Sequence, residues 1–268
     1  MSNKKKTSGG FSSLMSVLAI VISLVAGVII FKFIFGDPAN FVEGDPNGEP
    51  LEGNILGVIY KGGVIVPFLL AVNIIVIIFA VERFVTLSKA RGKGRIDAFV
   101  AKMKTLLEAK QVNEAIEACG KQGGSLGNVV LAGLEKYTTI VDDTSMNKEQ
   151  KVESLKKELE EATALELPML SKNLVILSTC ASVSTLIGLI GTVIGMIRSF
   201  AAMSHGAPDT AQLATGISEA LINTFFGIFG STIAIIAYNF FSTKIDAMTY
   251  SIDEAAFTIV QDFSSTQK

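Results

Sequence analysis

Four long apolar runs set the pattern of this chain. The first extends from Phe11 through Phe35, broken only by serines, Gly27 and Lys32. The second covers Val58 to Val81, with Lys61 near its start and Glu82-Arg83 closing it. The third follows Lys172 and reaches Met203, with Arg198 as its only charge; the fourth covers Gly216 to Phe241, with Glu219 as its only charge. A hydrocarbon core needs about 20 helical residues, so each run predicts a membrane span. The third is about 30 residues long and must tilt or project into water.

Between the second and third runs the pattern changes. Ile96, Phe99, Val100, Met103, Leu106 and Leu107 recur at the three-to-four spacing of one buried helix face. A short partner helix is expected over Val112–Cys119, ended by Lys121-Gln122-Gly123-Gly124, and another over Gly127–Tyr137, broken at 141–145. From Asn147 a charged amphipathic helix runs towards the third span, with a bend expected at Pro168. These helices could bury a modest core, and packing against other copies is the preferred expectation. The region reads as scaffold.

Composition agrees with a membrane protein. Of 268 residues 49% are AVILMFWYC and only 18% are charged, against about 25% charge in a soluble chain. The formal net charge of −2 gives no argument for nucleic-acid binding. No G-x-x-x-x-G-K-[ST], H-E-x-x-H or C-x-x-C stretch occurs, so neither enzyme, cofactor nor metal site is expected. Cys119 and Cys180 read as packing residues without a redox role, and His205 as a turn residue rather than a ligand or proton relay.

Basic residues set the orientation. Lys4, Lys5 and Lys6 precede the first run, 36–57 holds no Lys or Arg, and Arg83–Lys172 holds 15 of the chain's 23 basic residues. The loop 204–215 has none, and Lys244 follows the last run. By the positive-inside rule the expected division is a cytoplasmic N-terminus 1–10, span 11–35, acidic outer loop 36–57, span 58–81 and cytoplasmic helical domain 82–172. Span 173–203, outer loop 204–215, span 216–241 and cytoplasmic tail 242–268 complete it. The first run exceeds the 7–15 apolar residues of a cleaved leader and lacks a small-x-small exit, so it reads as an anchor. The N-terminal lysines read as its inside flank rather than a lipid site.

The candidate chemistry lies in the last two runs. Thr185, Gly188, Thr192, Gly195 and Ser199 recur every three or four residues and predict one small, partly polar stripe, with Gly191 adding a GxxxG step to Gly195. The fourth run repeats the design with Gly216, Glu219, Asn223, Gly227, Ser231, Ala234 and Tyr238, flanked by Thr224 and Thr232. Glu219 has three readings here: an ion pair with Arg198, ion passage or gating, or simple exposure at the end of the run. No carboxylate or histidine occupies the middle of any span, so this chain alone offers no proton-carrying site. Its polar lining either packs on other copies or surrounds a helix that supplies a carboxylate.

The motif from Gly188 to Phe200, Gly188-Leu-Ile-Gly-Thr-Val-Ile-Gly-Met-Ile-Arg-Ser-Phe200, together with Gly216-Ile-Ser-Glu-Ala-Leu-Ile-Asn-Thr224, Gly227 and Ala237-Tyr238-Asn239, resembles the ExbB/TolQ family, related to MotA. Glu82-Arg83 matches the Glu-Arg that closes that family's first shared span. The resemblance covers about Val58 to Phe241. It implies an all-α, multi-pass protein of the bacterial inner membrane with periplasmic outer loops and cytoplasmic termini. It also implies a homopentamer around a dimer of single-span ExbD- or TolR-like subunits, whose transmembrane Asp takes up and releases the proton. Thr192 and Thr224 are the matching pore threonines, and Glu219 matches the nearby glutamate. Proton flow would then turn the dimer and deliver work to TonB or TolA.

Three features depart from the family: the added run Phe11–Phe35, Ile233 where a proline is frequent, and the long tail. An ExbB-like role, powering outer-membrane import, is preferred over a TolQ-like role in envelope integrity and division. A MotA-like role lacks a charged rotor-contact array. A passive scaffold and a secondary transporter are the readings from other classes, the latter disfavoured by the absence of broken-helix repeats.

Overall fold

The computed structural model describes residues 8–203 and 210–266. The expectations for Lys4, Lys5, Lys6 and His205 fall outside these residues. Among the described residues all regular structure is helical, apart from one isolated bridge between Phe41 and Pro50. The elements are α1 (Ser8–Ile29), continued by a π-helix (Ile30–Phe35), α2 (Ile55–Tyr60), α3 (Val66–Ala90), α4 (Ile96–Glu108), α5 (Val112–Gln122), α6 (Gly124–Val141), α7 (Lys148–Ser171), α8 (Leu174–Met203) and α9 (Thr210–Thr266). Four helical stretches are long and apolar enough to cross a membrane. The protein is all-α and multi-pass.

The chain divides into two units. A membrane unit comprises Met1–Val81 and Val175–Tyr238, and a helical domain comprises Glu82–Leu174 and Asn239–Lys268.

In the membrane unit, the segment after α1 is folded rather than loose. Asn40 is buried and its Nδ2 donates to the Ile34 and Phe35 carbonyls at 2.8 and 3.1 Å, satisfying acceptors that a helix end leaves open. Tyr60 stacks on Phe31 at 4.6 Å between centroids and meets Phe41 edge-on at 5.5 Å. The second run is not one helix from residue 58. α2 stops at Tyr60, a 3-10 turn spans Gly63–Ile65, and α3 starts at Val66. Gly63, at φ 76°, makes this break accessible, and Pro67 sits in the first turn of α3, where a missing N–H leaves no bond unmade. Nor does the helix end at Glu82-Arg83: it continues to Ala90, and Gly92 at φ 73° follows it.

The helical domain tolerates Glu82-Arg83 because the pair is satisfied. Arg83 is buried and donates to both Glu82 oxygens, at 2.7 and 2.6 Å, and to the Leu170 carbonyl at 3.2 Å. The core joins Phe99, Met103 and Leu107 of α4 with Ala115 and Cys119 of α5, Leu126, Val130 and Leu134 of α6, and Leu155 and Leu159 of α7. Burial pushes the Cys119 thiol up to about 12, as expected for an inert packing residue. Asn147 opens α7 with a capping box, its side chain accepting from the Gln150 N–H at 2.8 Å.

Three expectations change here. The bend expected at Pro168 lies further on: α7 carries Pro168 inside it, and the break falls at Lys172-Asn173, where Asn173 takes φ 61°. Asn adopts this left-handed conformation more readily than most residues. The segment read as a tail is no appendage. α9 continues to Thr266, and its Ile252, Ala255, Ile259 and Phe263 are buried in the domain core, Phe263 edge-on to Tyr137 at 4.7 Å. The domain therefore closes within one chain the modest core that its apolar spacing allowed. Helix also begins at Thr210, so the outer loop read as 204–215 is shorter on its C-terminal side.

Candidate functional site

Small residues bring α8 and α9 together within the membrane unit. A Cβ on Gly188 would lie 2.9 Å from the Asn223 carbonyl oxygen and 3.0 Å from the Gly227 Cα, and one on Gly195 would lie 2.6 Å from the Gly216 carbonyl. Real Cβ atoms do not approach so closely, so these positions require glycine. At Gly191 the missing side chain admits the Asn223 side chain. Lipid supplies no hydrophobic drive between such helices, and close backbone approach supplies dispersion instead.

Asn223 is fully buried, and its Nδ2 donates to the Gly62 carbonyl at 2.9 Å. The carbonyl freed by the break before α3 thus finds its donor across the unit. One run of turns away, Asn73 of α3 donates to the Leu69 carbonyl at 2.8 Å and, longer at 3.4 Å, to the Phe226 carbonyl. It lies with Ser184 over Gly230, whose missing side chain leaves the space they occupy. The Asn73 Oδ1, Ser184 Oγ and Asn223 Oδ1 atoms have no hydrogen-bond partner among the described residues. Asn73, Gly62, Gly63 and Ser184 were absent from the sequence-derived candidates. Asn73 carried a signal, as an amide inside an otherwise Ile/Val-rich run.

At the end of the seam nearest residue 210, Arg198 Nη1 donates to both oxygens of Glu219, at 2.7 and 2.6 Å. Glu219 is 2% exposed, whereas the Arg198 side chain is 55% exposed. Exposure at the end of a run therefore does not describe Glu219. Its carboxylate sits against Gly63, where any side chain would strike it. Since α9 starts at Thr210, Glu219 lies more than two turns inside the helix. The guanidinium lines a cavity of about 1070 Å³ together with Lys61, Glu49, Thr215 and Ser218.

The expected stripe on α8 divides into two adjacent faces. Gly188, Gly191, Gly195 and Ser199 are buried, and the Ser199 hydroxyl donates to the Leu213 carbonyl at 3.2 Å. Thr185 is exposed and Thr192 partly exposed, at the edge of that packed face. On α9, Gly216, Glu219, Asn223, Gly227, Ser231 and Ala234 are buried, Thr224 is at the edge and Thr232 is exposed. Every one of these threonines bonds back to its own helix: Thr185 to Ala181 at 3.5 Å, Thr192 to Leu189 at 2.6 Å, Thr224 to Ala220 at 3.0 Å and Thr232 to Ile228 at 2.9 Å. With the hydroxyl proton committed to a backbone carbonyl, the lone pairs are left to accept a bond from outside.

Residues 123–254 match the MotA/TolQ/ExbB proton channel family. This stretch contains α6 and α7 of the helical domain, all of α8, most of α9 and the ion pair. The chain belongs to that family. It is 32% identical over 114 residues to the biopolymer transport protein ExbB of Aquifex aeolicus, covering 42% of this chain and 69% of the relative. It is 27% identical over 158 residues to the Tol-Pal system protein TolQ of Pseudomonas aeruginosa, covering 59% of this chain and 68% of the relative. With the TolQ of Haemophilus influenzae it shares 43% identity over 84 residues, but that match spans 31% of this chain and only 37% of the relative. Membership of a proton-channel family agrees with the reading of a transport-type membrane protein that is not an enzyme. α1 and α3 precede the matched residues.

Proposed function

We propose that the chain is the channel-forming stator subunit of a motor driven by the proton motive force in the bacterial inner membrane. Five copies would enclose a dimer of single-span, ExbD- or TolR-like partners, each with an Asp in its span. Both termini and the helical domain would face the cytoplasm, and the 36–57 segment the periplasm. The observation that carries the reading is the chemistry of the two seam edges. Thr192 and Thr224 present acceptor lone pairs without charge, and the one carboxylate of the last span is already engaged by Arg198.

In this scheme the partner's Asp carries the proton. Protonated, it is neutral and can move along a hydroxyl-edged apolar surface; it is the ionised form that low dielectric penalises. The threonine edges offer it successive hydrogen-bond acceptors, so the proton route passes Thr192 and Thr224. Glu219 belongs to that route as its gate: the Arg198–Glu219 pair holds the end of α8 against α9 beside the break at Gly63. Thr185, Gly188, Gly191, Gly195, Asn223, Gly227 and Ser231 hold the helices in register.

The work would go to a TonB-like protein and so to outer-membrane import, the ExbB-type role. A TolQ-type role in envelope integrity, with TolA as receiver, is favoured by the 43% identity to the Haemophilus protein. Native mass spectrometry of the protein co-expressed with a single-span, Asp-bearing partner tests the assembly. Five copies retaining two partner chains are expected; a complex that never retains such a partner would return the chain to the scaffold or transporter classes.

A further inference from the structure

Beside the seam, the membrane unit holds a second cavity of about 790 Å³ between α1 and the start of α3. Leu24, Val25, Val28 and Ile29 line one wall, and Val64, Pro67 and Phe68 the other. Gly27 sets the separation of the walls: a Cβ there would lie 2.6 Å from the Pro67 carbonyl oxygen, so α1 touches α3 backbone to backbone. Several of these side chains remain well exposed within the chain, Val25 at 54% and Val64 at 58%. The groove is thus an apolar trough open to the bilayer.

One end of the trough is not apolar. Lys32 and Tyr60 line it there. Lys32 is exposed and has neither an ion pair nor a hydrogen bond among the described residues. It differs in this from Lys61, whose ammonium donates to the Pro46 and Asn47 carbonyls at 3.1 and 2.9 Å. Lys32 also stands within the π-helix Ile30–Phe35; π-turns are rare and concentrate at functional sites. From Leu24 to Lys32 the trough runs about 12 Å along the helix axis, close to the half-thickness of about 15 Å of one leaflet. An aromatic hydroxyl and an unpaired ammonium then stand at headgroup level, where such residues gather.

We infer that this trough is a binding site for one anionic phospholipid of the leaflet facing residues 36–57, an acyl chain lying between α1 and α3 and the phosphate resting on Lys32. Charge decides the class of occupant. An unpaired ammonium at the end of an apolar trough lacks a counter-ion, and a lipid carrying net negative charge supplies both the chain and the anion. A choline headgroup would bring its own cation beside Lys32 and be disfavoured. The site belongs to α1, outside the family-matched residues 123–254, and does not depend on the motor reading.

Native mass spectrometry of the full chain, delipidated in mild detergent and titrated with dioleoylphosphatidylglycerol or dioleoylphosphatidylcholine, tests the site. The expected result is one phosphatidylglycerol retained per chain, bound at least about tenfold more tightly than phosphatidylcholine. Lys32→Gln should remove that preference, Lys32→Arg should keep it, and Val28→Trp, which fills the trough, should abolish retention of either lipid. Inorganic phosphate should not displace the bound lipid, since the acyl chain supplies part of the affinity. Equal retention of the two lipids, or a preference unchanged in Lys32→Gln, would overturn the proposal. So would crosslinks showing a second copy of the chain seated between Val28 and Val64.

Discussion

Between α8 and α9 the closest contacts are made by residues with almost no side chain, Gly188 against Gly227 and Gly195 against Gly216. In the helical domain the same task falls to Met103, Leu107, Leu134, Leu155 and Phe263, all below 2% exposure. The difference follows from the surroundings. Water drives large apolar side chains together at about 25 cal/mol per Å² buried, so the domain gains by bulk. Lipid gives no such drive, so the membrane unit gains by closeness and by polar groups that have no better partner in hydrocarbon. Its large side chains point away from the seam instead: Leu186, Leu189, Val193, Leu221, Phe225 and Ile228 are all more than half exposed in the single chain.

The sharpest way to break the contrast is to give the membrane seam the bulk that the domain uses. Gly227→Leu places a side chain where even a Cβ would lie 2.9 Å from the Gly188 Cα and the Ser184 carbonyl oxygen, both backbone. Loss of the folded, detergent-stable protein is expected in size-exclusion chromatography. The reverse change, Phe263→Ala in the domain, removes a fully buried ring and should cost about 3–5 kcal/mol. Hydrogen exchange should show it as earlier opening of α4 and α6.

Charge gives a smaller effect. Arg198→Gln leaves the buried Glu219 carboxylate without its partner. A fully buried pair would lose about 3–5 kcal/mol, and the exposure of Arg198 reduces that to about 1–3 kcal/mol. The double variant with Glu219→Gln should recover part of the loss in thermal unfolding in detergent. Smallest is the turn after α6. The Ser145 hydroxyl and amide donate to Asp143 Oδ1 at 2.6 and 2.8 Å and hold its carboxyl below the usual range. A carboxyl lowered in the folded state contributes stability above its ordinary pKa of about 4 and loses it as pH falls through the lowered value. Exchange protection of the Ser145 amide should therefore fade in acid, and Asp143→Asn should lack that dependence.

The four apolar runs were legible because a bilayer demands length and hydropathy alone. Packing partners were less so. Gly62 and Gly63 sit in a run that reads as one span, and only the structure places the Glu219 carboxylate where a side chain on Gly63 would stand. Thr185, Gly188 and Thr192 share a stripe by spacing, yet an arc wide enough to hold them covers both a packed face and its edge. The helical continuation of α9 was present in the sequence: Ile245, Met248, Ile252, Ala255, Ile259 and Phe263 keep the three-to-four spacing past the membrane run. Its low apolar density disguised it as a tail, because a helix that buries one stripe needs far fewer apolar residues than a span. The Arg198–Glu219 pairing was readable from depth, whereas its asymmetric burial was not.

Proton flux into proteoliposomes carrying this protein with its single-span partner tests the central claim, that the two seam-edge hydroxyls line the proton route. Thr192→Val and Thr224→Val keep the side-chain shape and remove the acceptor, whereas Thr192→Ser and Thr224→Ser keep the acceptor. The account predicts flux and energy coupling abolished in each valine variant, with assembly near normal, and largely retained in each serine variant. Full flux in both valine variants would contradict it.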